Sequence, residues 1–244
     1  MNVSTSPLAS EVIERYGGSR WNRFNTVTSR LRTGGVLWPL KQQAGVLDDV
    51  FVRVHLREPR ASHFPFTAPH LRTSYQPHRG AIEDGDGNVV SELPQPRQSF
   101  QGHGLDTPWT ELQLAYFAGY AMWTYLNTPF LFALDGVETR ELTPWHENGE
   151  AWRRLQVTLP AGIPSHGTFQ TFYFDADLLL KRHDYDTEVL GGTHAAHYTS
   201  DHVEVSGILV PTRRWVLARN PDGSTQSEPT IVSIVLSDIV FQGA

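Results

Sequence analysis

The chain contains no cysteine. That absence removes disulfides, thiol nucleophiles, cysteine-ligated zinc and iron–sulfur clusters, leaving histidine and carboxylate as ligands for any metal. It also lacks any run of lysine or arginine: 20 basic residues stand against 26 acidic ones, for a net charge of -6. A nucleic-acid partner is therefore not expected, because phosphate neutralisation needs clustered positive charge. A glycine-rich phosphate loop, a nucleophile elbow and an HExxH helix are missing too, which removes the common nucleotide, serine-hydrolase and metalloprotease signatures. No motif implies a cofactor. Met1 to Tyr16 hold neither a basic opening nor an apolar stretch of signal-peptide length, so the expectation is a cytoplasmic protein. With no internal repeat, residues 1–244 are expected to form one domain around one core.

What the sequence has in quantity is short β-rich runs divided by turn residues. Phe24–Thr33, Phe51–Arg57, Leu71–Gln76, Arg79–Asp84 and Val89–Leu93 read as strands, and Phe51–Arg57 alternates cleanly, with Val52, Val54 and Leu56 on one side. Between the last two, Asp84-Gly85-Asp86-Gly87-Asn88 is a reversal; without a glutamate at the twelfth place or helical flanks it reads as a hairpin and not a calcium loop. Further strands are expected at Phe130–Leu134, Val137–Leu142, Trp152–Leu159, Phe169–Phe174, Leu178–Tyr185 and Val203–Val210, then, after a break at Pro211, at Arg213–Arg219 and Ile231–Phe241. Each strand is followed by a turn suited to an antiparallel meander. The sheet should draw on residues 24–93 and 130–241.

Two helices are expected. Ser6 and Pro7 open one at 7–16, with Leu8, Val12, Ile13 and Tyr16 on one face and Gly17-Gly18 as its stop. The other runs over 108–126, with Thr107 as N-cap, Pro108 at its first position, Glu111 in its first turn and Asn127-Thr128-Pro129 as its stop. It is apolar all round, which demands burial or a bilayer. Asn127 and Pro129 interrupt the stretch from Leu112 to Leu134 and no lysine or arginine flanks it, so stable membrane insertion is not expected. The fold class that follows is α+β: a curved antiparallel β-sheet, an open half-barrel, wrapped around a long apolar helix, with a short N-terminal helix. A homodimer is the alternative way to finish burying that helix.

Three stretches carry a likeness. Tyr16-Gly17-Gly18 and Trp21 run into the strand Phe24–Thr33; Phe172-Tyr173-Phe174-Asp175 is followed by Leu179, Arg182 and Asp184-Tyr185; and a late run spans Val205 to Thr212. In this order they resemble the periplasmic lipoprotein carriers of the outer-membrane sorting pathway and their mycobacterial lipoprotein relatives. The resemblance covers nearly the whole chain. It implies an N-terminal helix, an open antiparallel half-barrel with helices in its concavity, and an apolar molecule held between sheet and helix.

The candidate ligand-binding residues are aromatic. Trp109, Tyr116, Tyr120 and Trp123 recur at helical spacing and can turn rings toward the concave side of the sheet, with Trp38 and Tyr75 as secondary candidates. The hydroxyls of Tyr116, Tyr120 and Tyr125 on a buried helix each need a partner or a polar ligand. The eleven histidines supply the candidate bases. His183 lies in a strand whose face, if inward, makes it a polar group in an apolar trough; His103 sits in the loop Gly102-His103-Gly104 and can swing over a ligand. His194 and His197 with His202 suggest a metal cluster, but residues three apart on a strand point to opposite faces, so a polar surface loop is the expectation and no metal site is assigned. Together these features point to binding or carriage of a small apolar or amphipathic molecule in a cavity beside the central helix. The alternative is a cofactor-independent enzyme using His183 or His103 and a tyrosine hydroxyl as acid and base on a hydrophobic substrate.

Overall fold

A computed structural model describes residues 6–243. Among them, thirteen strands form one antiparallel sheet. The N-terminal part supplies β1 (Thr26–Gly34), β2 (Val50–His55), β3 (Ala61–Phe64), β4 (Arg72–Gln76), β5 (Arg79–Glu83) and β6 (Val89–Pro94). The C-terminal part supplies β7 (Glu138–Glu147), β8 (Glu150–Thr158), β9 (Phe169–Phe174), β10 (Leu180–Thr187), β11 (Thr193–Val205), β12 (Ile208–Ala218) and β13 (Val232–Gln242). Their spatial order is β6-β5-β4-β3-β2-β1-β13-β12-β11-β10-β9-β8-β7, so two meanders meet along β1 and β13, from Thr26 opposite Gln242 to Gly34 opposite Ser233. β6 and β7 are the two edges, and the curved sheet stays open between them.

Among the described residues, three α-helices accompany the sheet: α1 (Pro7–Arg15), α2 (Leu37–Leu40) and α3 (Glu111–Asn127). Every residue of α3 from Gln113 to Asn127 is buried, the outcome its all-round apolar surface requires. No helix among the described residues is long and apolar enough to cross a membrane. α1 is tied to the far meander: the Ser6 N–H donates to Thr139 Oγ1 of β7, Arg15 donates to the Asp177 carbonyl in the β9–β10 turn, and Glu11 pairs with Arg153 of β8.

The half-barrel around a central helix is as the sequence implies, and the local departures have physical causes. α3 begins at Thr110, not Thr107: Thr110 Oγ1 accepts the Gln113 N–H at 3.2 Å while Gln113 Oε1 accepts the Thr110 N–H at 2.9 Å, a reciprocal capping box that Thr107 lacks. Thr107 instead holds its own loop, accepting the Gly104 N–H at 3.0 Å. Phe130–Ala133 is a 3₁₀ turn and not a strand: it follows α3 directly, with Phe130 stacked on Trp21 and Phe132 packed on Phe172. The expected strand Val203–Val210 is a hairpin, turned by Ser206 and Gly207 at φ 54° and 80°, the left-handed pair a two-residue reversal needs. Pro211 does not break β12: it pairs with His202 of β11 on one side and lies outside the β13 ladder on the other, so its missing N–H costs no bond. The expected loop around His194 and His197 is the first half of β11, and the candidate Trp38 lies in α2.

Candidate functional site

α3 is not centred in the trough. It packs chiefly on β2 to β6. A Cβ on Gly119 would stand 2.3 Å from Tyr75 Cβ of β4, and one on Gly80 of β5 would stand 3.3 Å from the Leu112 carbonyl oxygen of α3, so helix and sheet touch there at a spacing that glycine makes available. Toward β1, β12 and β13 a cleft of about 50 Å³ remains. Ala118, Ala121, Met122 and Tyr125 form its helical wall, with Leu31, Val216, Val232 and Ile234 facing them from the sheet. Leu37 and Trp38 of α2, Leu47, Phe117, Leu190 and Ile231 add to the apolar lining, and the partly exposed Thr33 and Ile231 bring it to the surface.

His63, His166 and Tyr185 add polar groups to this lining, and His166 with Tyr185 belongs to a buried hydrogen-bonded array. The His166 ring is stacked on Tyr185 at 4.2 Å between centroids. Its Nε2 is 2.6 Å from the Tyr125 hydroxyl and its Nδ1 3.2 Å from the Tyr120 hydroxyl. Tyr125 in turn meets the Tyr185 hydroxyl at 3.2 Å, and Tyr185 lies 3.5 Å from His197 Nδ1. Register explains the grouping: His183 is opposite His197, and Tyr185 opposite Gln170, so alternation brings Gln170, Phe172, His183, Tyr185 and His197 to the concave face. Burial holds the imidazoles neutral, pushing His166 down to about 3 and His183 and His197 well below the usual histidine range. The same burial raises Tyr125 to about 12.

One charge enters this face. Arg214 of β12 is 2 % exposed, donates from Nη2 to the Tyr125 carbonyl at 3.4 Å, lies 5.2 Å from the Tyr125 ring centroid, and leaves Nε without a partner. It forms no ion pair among the described residues, and burial lowers it to about 10, still cationic at neutral pH.

Of the six candidate ligand-binding aromatics, Trp38 lines the cleft and Tyr120 borders it through His166. The others pack elsewhere. Tyr75 and Tyr116 meet each other at 5.7 Å on the close-packed flank of α3, Trp109 lies against Phe117 at 4.7 Å, and the Trp123 indole N–H donates to the carbonyls of His55 and Glu58. His183 is concave and buried, stacked on Phe172 at 4.0 Å with Nε2 2.6 Å from Gln170 Oε1. His103 packs edge-on against Phe100 and shares no contact with the tyrosine–histidine array. His194 points outward to Asp186 while His197 points inward, so strand alternation separates the pair. Sequence reasoning missed His63 and His166. The first sits in a four-residue strand bounded by prolines, and the second in the loop Ser165-His166-Gly167, where no periodicity marks it.

The geometry defines a class: an open antiparallel half-barrel with a buried helix in its concavity. That is the fold of the lipoprotein-carrier superfamily. The chain superposes on a LolA superfamily protein from Nitrosomonas europaea with a TM-score of 0.53 at 11% identity, covering 97% of this chain and 94% of that one. It superposes equally, at 0.53 and 11% identity, on a "putative outer membrane lipoprotein-sorting protein domain" from Vibrio parahaemolyticus, covering 96% and 91%. No family model and no curated protein matches the sequence.

Proposed function

We propose that this protein holds a small apolar or amphipathic molecule in the cleft between α3 and the β1, β12 and β13 wall, and that its role is binding or carriage. The observation that carries this reading is the offset of α3: the helix is pressed to one flank of the trough by Gly119 and Gly80 and leaves an apolar opening along the other. A structural neighbour named for lipoprotein sorting supports it. At about 50 Å³ the cleft admits about three to five water-sized groups, each needing roughly 10–15 Å³. A longer guest enters by moving Met122, the flexible member of the helical wall. Acid–base catalysis is less well supported. His183 is shut behind Phe172 and Gln170, and His166 spends both nitrogens on tyrosines.

Solvent extraction of the purified protein followed by mass spectrometry should recover an apolar molecule unchanged. The neutral fluorophore phenylnaphthylamine should bind saturably, and Ala121→Leu, which fills the cleft from the helix side, should weaken it at least about tenfold. No recovered guest together with no saturable binding overturns the proposal.

A further inference from the structure

Among the described residues that line the cleft, His63 is the one with a buried polar side-chain atom that has no hydrogen-bond partner. It is fully buried. The rest of its polar surface is anchored on β4. Thr73 Oγ1 accepts the His63 backbone N–H at 2.7 Å and lies 3.3 Å from His63 Nδ1. The Thr73 hydroxyl has no other acceptor among the described residues, so its proton goes to Nδ1. A neutral imidazole carries one ring proton, and with Nδ1 accepting, that proton sits on Nε2. Burial lowers His63 to about 4, which keeps the ring in this neutral form at physiological pH. The result is an N–H donor on the far side of the ring from its anchor, on a residue that lines a cleft whose walls are mostly leucine, isoleucine, valine, alanine, methionine and aromatic rings, with the hydroxyls of Thr33, Tyr125 and Tyr185 already bound elsewhere and that of Thr187 as the other polar group of the lining.

An unpaired buried donor is costly, and a leucine or phenylalanine would fill the same space without that cost. The charge pattern narrows what completes it. The lining contains no lysine, arginine, aspartate or glutamate, so a carboxylate or phosphate brought to this point would lack a counterion. We infer that His63 is the polar recognition point of the cleft, donating its Nε2 proton to a neutral carbonyl oxygen, of a ketone or an ester, on an otherwise apolar guest. The inference rests on the reading of the cleft as a binding site and names the chemistry that site selects.

The test compares 2-decanone with 2-methyl-1-decene, in which C=CH₂ replaces C=O, by titration calorimetry. The intact protein should bind the ketone about tenfold tighter, and His63→Leu should bring the two affinities within about twofold of each other while keeping the alkene. In wild-type protein labelled with ¹⁵N, the Nε2-bound proton of His63 should move downfield on adding the ketone and stay in place with the alkene, a readout that decides the matter if His63→Leu does not fold. Equal binding of both probes by the wild type, or no movement of that proton with bound ketone, overturns the inference while leaving the cleft reading intact. Failure of both probes to bind overturns the cleft reading and the inference with it.

Discussion

The two flanks of α3 are built on opposite principles. Toward β4 and β5 the helix approaches the sheet so closely that a methyl group on Gly119 would overlap the Tyr75 side chain, and the contact is filled by Tyr75, Tyr116 and Phe100. Toward β1, β12 and β13 the helix shows alanines, a methionine and Tyr125 to a cleft, and the adjoining surface facing it carries three histidines, Tyr185 and an arginine, all buried. A helix apolar on every side needs cover on every side. Here one side is covered by direct packing and the other by a mixture of void and buried polar groups. Buried polar networks that hydrophobic side chains could replace are weak evidence for stability and better evidence for use. The close flank reads as the part that fixes the helix, and the open flank as the part that does something.

Acid should break the comparison most strongly, because the neutral histidines are concentrated around the cleft. The unfolded chain protonates these rings below about pH 6.5, whereas folding holds His63 at about 4 and His166 at about 3. Their folded values are depressed below the unfolded ones, so the unfolded state binds more protons in that window. Stability is therefore full above pH 6.5 and is lost as pH falls toward 4 and 3. At about pH 5 the loss is about 2 kcal/mol for each histidine, or about 4 kcal/mol for the two. Urea unfolding at about pH 7.5 and about pH 5 measures it, with the deeply buried His183 and His197 adding to the loss in the same direction, and His63→Leu should remove about 2 kcal/mol of the difference. Equal midpoints at the two pH values would show that these rings are not held neutral by burial.

The close flank is tested by Gly119→Ala. Helix propensity alone favours alanine by about 1 kcal/mol, but the added Cβ lies 2.3 Å from Tyr75 Cβ and 2.4 Å from its Cγ, atoms fixed to the backbone of β4. Overpacking wins, and a net loss of about 2–3 kcal/mol is expected from chemical denaturation. A neutral or stabilising outcome would mean that α3 is free to shift, and the offset that creates the cleft would lose its cause.

The sheet was largely legible in the sequence and the site was not, and the same two flanks explain why. Strands such as β2 and β5 carry their own evidence, in the alternation of Val52 and Val54 or in the Asp84–Asn88 turn, which depend on neighbours in sequence. The His-Ala-Ala-His start of β11 gave no such signal, because from Ala195 onward both of its faces are buried: His197 lies on the concave side, while Ala196 and Tyr198 pack with Trp152 and Tyr173 on the convex side. For α3 the difficulty is sharper. A helix buried all round carries apolar residues at every angle about its axis, so the spacing of those residues does not say which stripe faces a cavity. The aromatic stripe Trp109, Tyr116, Tyr120 and Trp123 was visible; that Ala118, Ala121 and Tyr125 face the cleft instead follows from where Gly119 and Gly80 let the helix lean. That is a long-range contact. His166 is hidden for the same reason, since only the folded loop brings it between Tyr120, Tyr125 and Tyr185.

A smaller effect sharpens the comparison between the two faces of the sheet itself. Each face holds a buried arginine. Arg182, on the convex side, is held by Asp184 at 2.6 Å and Glu147 at 2.7 Å and is surrounded by Trp145, Tyr173 and Tyr198. Arg214, on the concave side, has a carbonyl and a ring face and no carboxylate among the described residues. Removing a paired buried cation strands its acids, but removing an unpaired one relieves a desolvation cost, so Arg214→Met should stabilise the protein by about 1–2 kcal/mol, read as a raised unfolding midpoint. Met keeps most of the volume and the contact with the Tyr125 ring. A destabilised Arg214→Met variant would mean that the guanidinium is compensated in the folded chain by something stronger than a 3.4 Å hydrogen bond and a tyrosine face, and Arg214 would then belong with Arg182 as structural framework.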